Sequence, residues 1–227
     1  MKRCNAFTLV EILVVIGIIA VLISLRLPSL NKARRSANQV ACSSNLRQVG
    51  LAHQLYMQDN KGHQVEGSLA VPPPTTFLFW TDLLRPYLGL KKYYDGSVQP
   101  IPPEAKVLIC PEDVTYGGMY DLGALPYGRP IASPDFALRS YSLNMEMYGK
   151  KMAQIRRTSE TLFLGEAQWW QISSVWIRSD SYFVNIMPLK WHPGKRVNLL
   201  CYDGHVEAVA VSTLYPGGSN ARFWKSE

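Results

Sequence analysis

The chain has 227 residues, 47% of them hydrophobic, and a formal net charge of +7. That length and apolar content support a real core of ordinary size beside any helical segment, and exclude a tail without one. The basic charges are scattered rather than gathered into a run, so the favoured reading is a solvated basic surface, not a nucleic-acid footprint.

The first element is Phe7 to Leu25, FTLVEILVVIGIIAVLISL, behind the basic leader MKRCNA. Crossing a hydrocarbon layer about 30 Å thick takes roughly 20 apolar residues of helix, with about 17 as the lower limit, and this run meets that. A secretory signal would have a shorter apolar core and a small-x-small cleavage site at its far end. Ser24-Leu25-Arg26-Leu27-Pro28 offers no such pair. A plain signal anchor accounts for the length but not for Glu11, the one charge in the run. A carboxylate deep in lipid costs roughly 2.5–3.5 kcal/mol and is a functional suspect by default; against this, Glu11 lies close enough to the start to reach the interface.

A basic leader, then Phe-Thr-Leu-Val-Glu and a long apolar run, resembles the prepilin cleavage and methylation motif of type IV pilins and type II secretion pseudopilins. The resemblance implies that prepilin peptidase cuts between Ala6 and Phe7, with Ala6 standing where the family usually has Gly. It also implies that Phe7 becomes the N-methylated first residue and that Glu11 meets a freed Phe7 amine during assembly. Helix association in lipid leans on packing and polar contacts, so one carboxylate facing one amine would set register; Gly17 and Ala20 offer small surfaces for close approach. Lys2 and Arg3 precede the span, while Arg26, Lys32, Arg34 and Arg35 follow it, so charge leaves orientation open. The motif places the leader in the cytoplasm.

Beyond the span, Leu27-Pro28-Ser29 allows a kink. Helical spacing then resumes, with Leu30, Ala33, Ala37, Val40, Ala41, Leu46, Val49, Ala52, His53 and Tyr56 on one stripe. Lys32, Arg35, Asn38, Gln39, Arg47 and Gln54 occupy the other face. Asp59-Asn60-Lys61-Gly62 is a stop signal, and His53 reads as a packed core histidine. From Gly62 the texture is that of a globular head. Trp80 to Leu88 reads as a short helix, Val107 to Cys110 as a short buried strand, and Tyr116 to Pro134 as a surface loop. Ser140 to Asn144, Thr161 to Gly165, Val175 to Ile177 and Tyr182 to Ile186 are strand candidates. Two alternating runs around Asp203-Gly204 predict a terminal hairpin with a type I′ turn.

Cys4 lies in the leader. Cys42 is on the helix past the membrane, and Cys110 ends a strand able to pack against it. These two are expected to pair, leaving Cys201 as a buried thiol. Nothing has the CxxC spacing of a zinc site or the oxygen-ligand spacing of a calcium loop. Nucleophile elbows, phosphate loops and HExxH helices are absent from the sequence. His192 and Asp203 read as turn residues, and Glu112, Asp113 and Glu166 as loop polar groups. Trp169, Trp170, Trp176, Trp191 and Tyr182 read as core aromatics, with an exposed polymer- or pilin-binding face as the alternative.

The head adds to the resemblance. CSSNLRQVGLAHQLYMQDNKG, WTDLLRPYLG, VLICPED, SYSLN and WHPGKRVNLLCYDGHVEAV are similar to stretches of a prepilin-type family in which His, nine residues and Asp-Gly recur. Here ten residues separate His192 from the Asp203-Gly204 pair.

The expectation is an α+β, pilin-like protein: leader 1–6, membrane half of the helix 7–26, amphipathic half 27–60, and an extracytoplasmic head 61–227 built on an antiparallel sheet. It would be a non-enzymatic subunit of a type II secretion pseudopilus or type IV pilus-like filament. Its partners would be other pilin or pseudopilin subunits, prepilin peptidase and the inner membrane. No metal or cofactor is expected, and no nucleic acid in this reading. The alternative is a minor tip pilin binding DNA or surface polymer.

Overall fold

The structure, a computed structural model, describes residues 9–71, 76–90, 103–113, 140–167, 171–172 and 192–214. The leader with Ala6 and Phe7 lies outside these residues. So do the loop 116–134, the strand candidates 175–177 and 182–186, and Trp169, Trp170, Trp176, Tyr182 and Trp191.

Helix α1 runs from Leu9 to Asp59 and continues through Pro28. Proline removes one backbone donor, and around this point the Ser24 and Ser29 hydroxyls donate to Val21 and Arg26 carbonyls, each at 2.8 Å. The helix stops where Lys61 and Gly62 enter left-handed backbone, and the Gly62 N–H closes back on the Met57 carbonyl at 2.8 Å. Glycine takes that conformation without a Cβ penalty, which is why Asn-Lys-Gly ends a helix.

The apolar residues from Leu9 to Leu30 are all exposed, Leu25 at 72%. Burial begins with Cys42 and then takes Leu46, Val49, Gly50, Ala52, His53 and Met57. The apolar stripe is thus shorter than its spacing implies: Leu30 and Val40 stand free of the head, Val40 at 68% exposure. Arg35 and Asn38, assigned to the solvent face, instead reach Glu112.

The remaining elements are β1 (Ser68–Val71), β2 (Thr76–Phe79), α2 (Trp80–Leu84), β3 (Tyr141–Asn144), β4 (Leu162–Glu166), β5 (Gln171–Ile172), β6 (Arg196–Cys201) and β7 (Val206–Ala210). β1 and β2 form a hairpin of their own. The main sheet has the order β5-β3-β4-β6-β7. Four strands, β3, β4, β6 and β7, are antiparallel, and the two-residue β5 adds in parallel beside β3. Every residue of β3 and β4 is buried, so LFLGE reads as an apolar run closed by a charge rather than as an alternation.

α1 lies on this sheet, with Gly50 facing β6. A Cβ there would stand 3.2 Å from the Leu200 side chain of β6, so glycine lets helix and strand approach. One extra residue in β4 between Leu162 and Leu164 shifts its register against β6. That residue, Phe163, stacks on His53 of α1 at 3.9 Å between ring centroids. A bulge re-aims a side chain in this way.

Two local expectations change. The segment before Cys110 is a 3-10 helix, Pro103–Leu108, not a strand. Proline opens it where a helix tolerates the missing N–H, and Glu-Ala-Lys carries it on. The β6–β7 connection is not a type I′ turn. Gly204 has positive φ but Asp203 does not. The Gly204 N–H donates to the Cys201 carbonyl and the Cys201 N–H to the His205 carbonyl, each at 3.0 Å. This is a three-residue loop with a left-handed glycine, the next commonest hairpin solution.

Candidate functional site

Two places carry chemistry. The first is the start of α1. Glu11 sits in the first helical turn, on a segment of which nothing is buried inside the chain. The helix is long and apolar enough to cross a membrane. Gly17 has nothing within 4 Å of where its Cβ would be, leaving that face open to another helix.

The second place is where α1 meets the head. Cys42 and Cys110 are joined by a disulfide, with Cα atoms 5.1 Å apart. The surrounding chain is clamped to the helix. Arg35 Nε lies 3.3 Å from Glu112 Oε2, the Asn38 amide donates to Glu112 Oε1 at 2.6 Å, and the Asn45 amide donates to the Ile109 carbonyl at 3.1 Å. Asp113 accepts from the Ser140 hydroxyl at 2.7 Å. Cys201 is buried and takes no part in a disulfide.

Against this bridge lies a polar island. The last residue of β4, Glu166, is buried to 0% exposure, which corrects its reading as a loop polar group. Its Oε1 accepts from His192 Nε2 at 2.8 Å and from the Asn198 side-chain amide at 2.9 Å. Its Oε2 accepts from the Asn198 backbone N–H at 2.7 Å. His192, itself buried, holds Nε2 3.6 Å from Cys110 Sγ. One ligand atom from each of Cys42, Cys110, Glu166 and His192 fits within 4.8 Å of the others. Among the described residues, His192 Nδ1 and Asn198 Oδ1 have no hydrogen-bond partner, and a buried polar group left so costs about 1–3 kcal/mol. Burial first, and the Glu166 charge second, push the Tyr141 phenol well above its ordinary range.

His192 therefore pairs with Glu166, not Asp203. Asp203 lies in the exposed hairpin loop, where Oδ1 accepts from the His205 N–H at 3.0 Å and contacts His205 Nδ1 at 2.6 Å. Reading the sequence missed Glu166 and Asn198. The available signal was a carboxylate closing an otherwise apolar strand.

His53 is the other buried histidine. Burial pushes its pKa down from 6.5 to about 3, with the Gln64 side chain acting weakly in the other direction. It is a neutral packing ring stacked on Phe163.

A free, membrane-length helix whose far half packs on an α+β head defines a pilin-like class of protein. Residues 1–25 match the prokaryotic N-terminal methylation motif. The chain is 35% identical over 105 residues to the type IV wide pilus major component PilA4 of Thermus thermophilus, across 43% of this chain and 80% of that protein. No solved structure matches it. The chain belongs to the type IV pilin family.

Proposed function

We propose that the protein is a structural, non-catalytic subunit of a type IV pilus-like filament or the related secretion pseudopilus, anchored in the inner membrane before assembly. The observation that carries this is the bare apolar half of α1. An exposed helical surface of that size is stable only in lipid or against other helices. Membership of the pilin family and the similarity to a major pilus component support a role along the filament over one at its tip.

In this reading residues 1–6 are a leader removed by prepilin peptidase between Ala6 and Phe7, and the Phe7 amine is methylated. Residues 7–26 lie in the membrane, 27–60 connect, and 61–227 form the extracytoplasmic head. Glu11 in the next subunit meets the Phe7 amine. A carboxylate that is costly in lipid is relieved by a charge partner that exists only after cleavage.

Mass spectrometry of protein purified from membranes tests the processing: the expected N-terminus is methylated Phe7. Intact Met1, or a cut beyond Leu25, would overturn the reading. Immunolabelling tests the position, with labels expected along the filament; label confined to the tip would move the protein to the tip-binding class.

A further inference from the structure

The polar island against the disulfide does nothing that a disulfide needs. A Cys–Cys bridge between α1 and the head requires only apolar packing. A buried carboxylate and imidazole beside it carry a desolvation cost that their mutual hydrogen bond offsets only in part. Yet Glu166 of β4 and His192 of the turn before β6 each bring a ligand atom within 4.8 Å of both sulfurs, and Asn198 of β6 holds the carboxylate. Two thiols, an imidazole and a carboxylate are the donor types that zinc takes in four-coordinate protein sites.

We propose that the reduced head binds one Zn2+ ion between Cys42 Sγ, Cys110 Sγ, His192 Nε2 and Glu166 Oε1, and that this ion and the Cys42–Cys110 bond are alternative occupants of one site. The dimensions agree with a tetrahedral ion. At Zn–S near 2.3 Å and Zn–N near 2.05 Å, nitrogen and sulfur ligands stand about 3.6 Å apart, and His192 Nε2 already lies 3.6 Å from Cys110 Sγ. His192 Nε2 and Glu166 Oε1, now hydrogen-bonded at 2.8 Å, separate to about 3.3 Å when both bind the ion. Breaking the disulfide lets the sulfurs part to about 3.8 Å. The donors Asn198 N–H and Nδ2–H stay on the carboxylate and orient it, as outer-shell partners do for metal ligands. Hard cations are poor occupants, because Ca2+ and Mg2+ take oxygen ligands in larger shells.

The conversion balances. A water-soluble phosphine gives two electrons to the disulfide and becomes the phosphine oxide with the oxygen of one water, whose two protons go to the two sulfurs. The two thiols lose those protons to solvent as Zn2+ binds, and the His192 proton passes from Nε2 to Nδ1. In the reverse direction a disulfide-bonded oxidant takes two electrons from the two zinc-bound thiolates and two protons from water to become a dithiol, the Cys42–Cys110 bond forms, and the ion leaves. The ion thus occupies the site in a head whose bridge has not yet formed, holding Cys42 beside Cys110.

The test uses the full chain in detergent micelles, treated with phosphine and Zn2+, then desalted. One zinc per chain is expected after reduction and none in the oxidised protein, with Ca2+ giving no uptake. X-ray absorption at the zinc edge of the wild type is expected to show two sulfur and two nitrogen or oxygen neighbours. His192→Gln and Glu166→Gln are expected to weaken zinc binding by about a hundredfold or more, while leaving thermal unfolding of the oxidised form cooperative. No zinc in the reduced wild type, a shell without two sulfurs, or wild-type affinity in both variants would each overturn the proposal. If neither variant folds when oxidised, the wild-type stoichiometry and ligand shell decide it alone.

Discussion

The two halves of α1 obey different solvents. From Leu9 to Leu30 the helix exposes its leucines, valines and isoleucines on every side. From Cys42 to Met57 it buries one face against β6, Phe163 and the segment around Cys110, and leaves the other wet. The backbone is the same helix throughout, so helix formation alone does not distinguish the halves. The surroundings do: in the first half lipid or sister helices supply the contacts, and in the second the chain's own head does. Substitutions in the first half should change assembly and spare the head, and substitutions in the second should do the reverse.

The largest expected effect is all or none. Glu11→Leu removes the buried-charge cost, so membrane insertion and cleavage before Phe7 should survive, while filaments or cross-linked multimers should be lost. Head stability should not move. Normal filaments from a processed Glu11→Leu protein would show that the carboxylate only sits at the interface.

Next comes the bridge on the packed half. Cys42→Ser should cost roughly 4 kcal/mol, because the bond closes a loop across a sequence separation of 68 residues. Denaturant unfolding of oxidised wild type against the variant measures this. The same experiment on Cys201→Ser is the comparison, since that residue takes no part in the bridge.

The two helical glycines give the sharpest contrast. Gly50→Leu forces a side chain into Leu200 and should destabilise the head by about 1–3 kcal/mol through overpacking. Gly17→Leu, made where nothing lies within 4 Å, should leave the head's unfolding curve unchanged and show its effect only in assembly. Equal losses from both would mean that the halves are not separable.

A smaller effect is graded by pH. The unfolded chain takes up a proton on His53 below about pH 6.5, the folded chain only near pH 3. Between those values the unfolded state binds more protons, so stability falls as pH falls, by about 1.4 kcal/mol per pH unit. His53→Phe should flatten that slope in unfolding curves recorded from pH 7 to 4. The smallest effect is Arg35→Ala. Its ion pair with Glu112 is nearly half exposed on the arginine side, and such pairs contribute about 0–1 kcal/mol.

Legibility in the sequence followed locality. The membrane-length run, the amphipathic continuation, the stop at Asn60-Lys61-Gly62 and the terminal hairpin are written in neighbouring residues, so periodicity and turn chemistry found them. The polar island is not. Its members come from positions 42, 110, 166, 192 and 198, brought together by sheet pairing that no short window contains. Spacing drew attention from His192 towards Asp203, although the partner is a glutamate on the neighbouring strand. The segment before Cys110 misled because Val-Leu-Ile-Cys is strand-like by composition, whereas Pro103 and the residues after it set a helical turn upstream.

The close approach of Gly50 to Leu200 also has a consequence for the order of events during synthesis. The helix is made before its binding strand, so the packed face of α1 has no sheet to bind until β6 has been made. Contacts between residues so far apart in the chain carry a large loop-closure cost and slow folding. The amphipathic half must therefore wait, its apolar face uncovered, until that strand arrives. Insertion of the apolar half into the membrane during that wait would fix one end of the chain and keep nascent heads apart until β6 and β7 close over the helix.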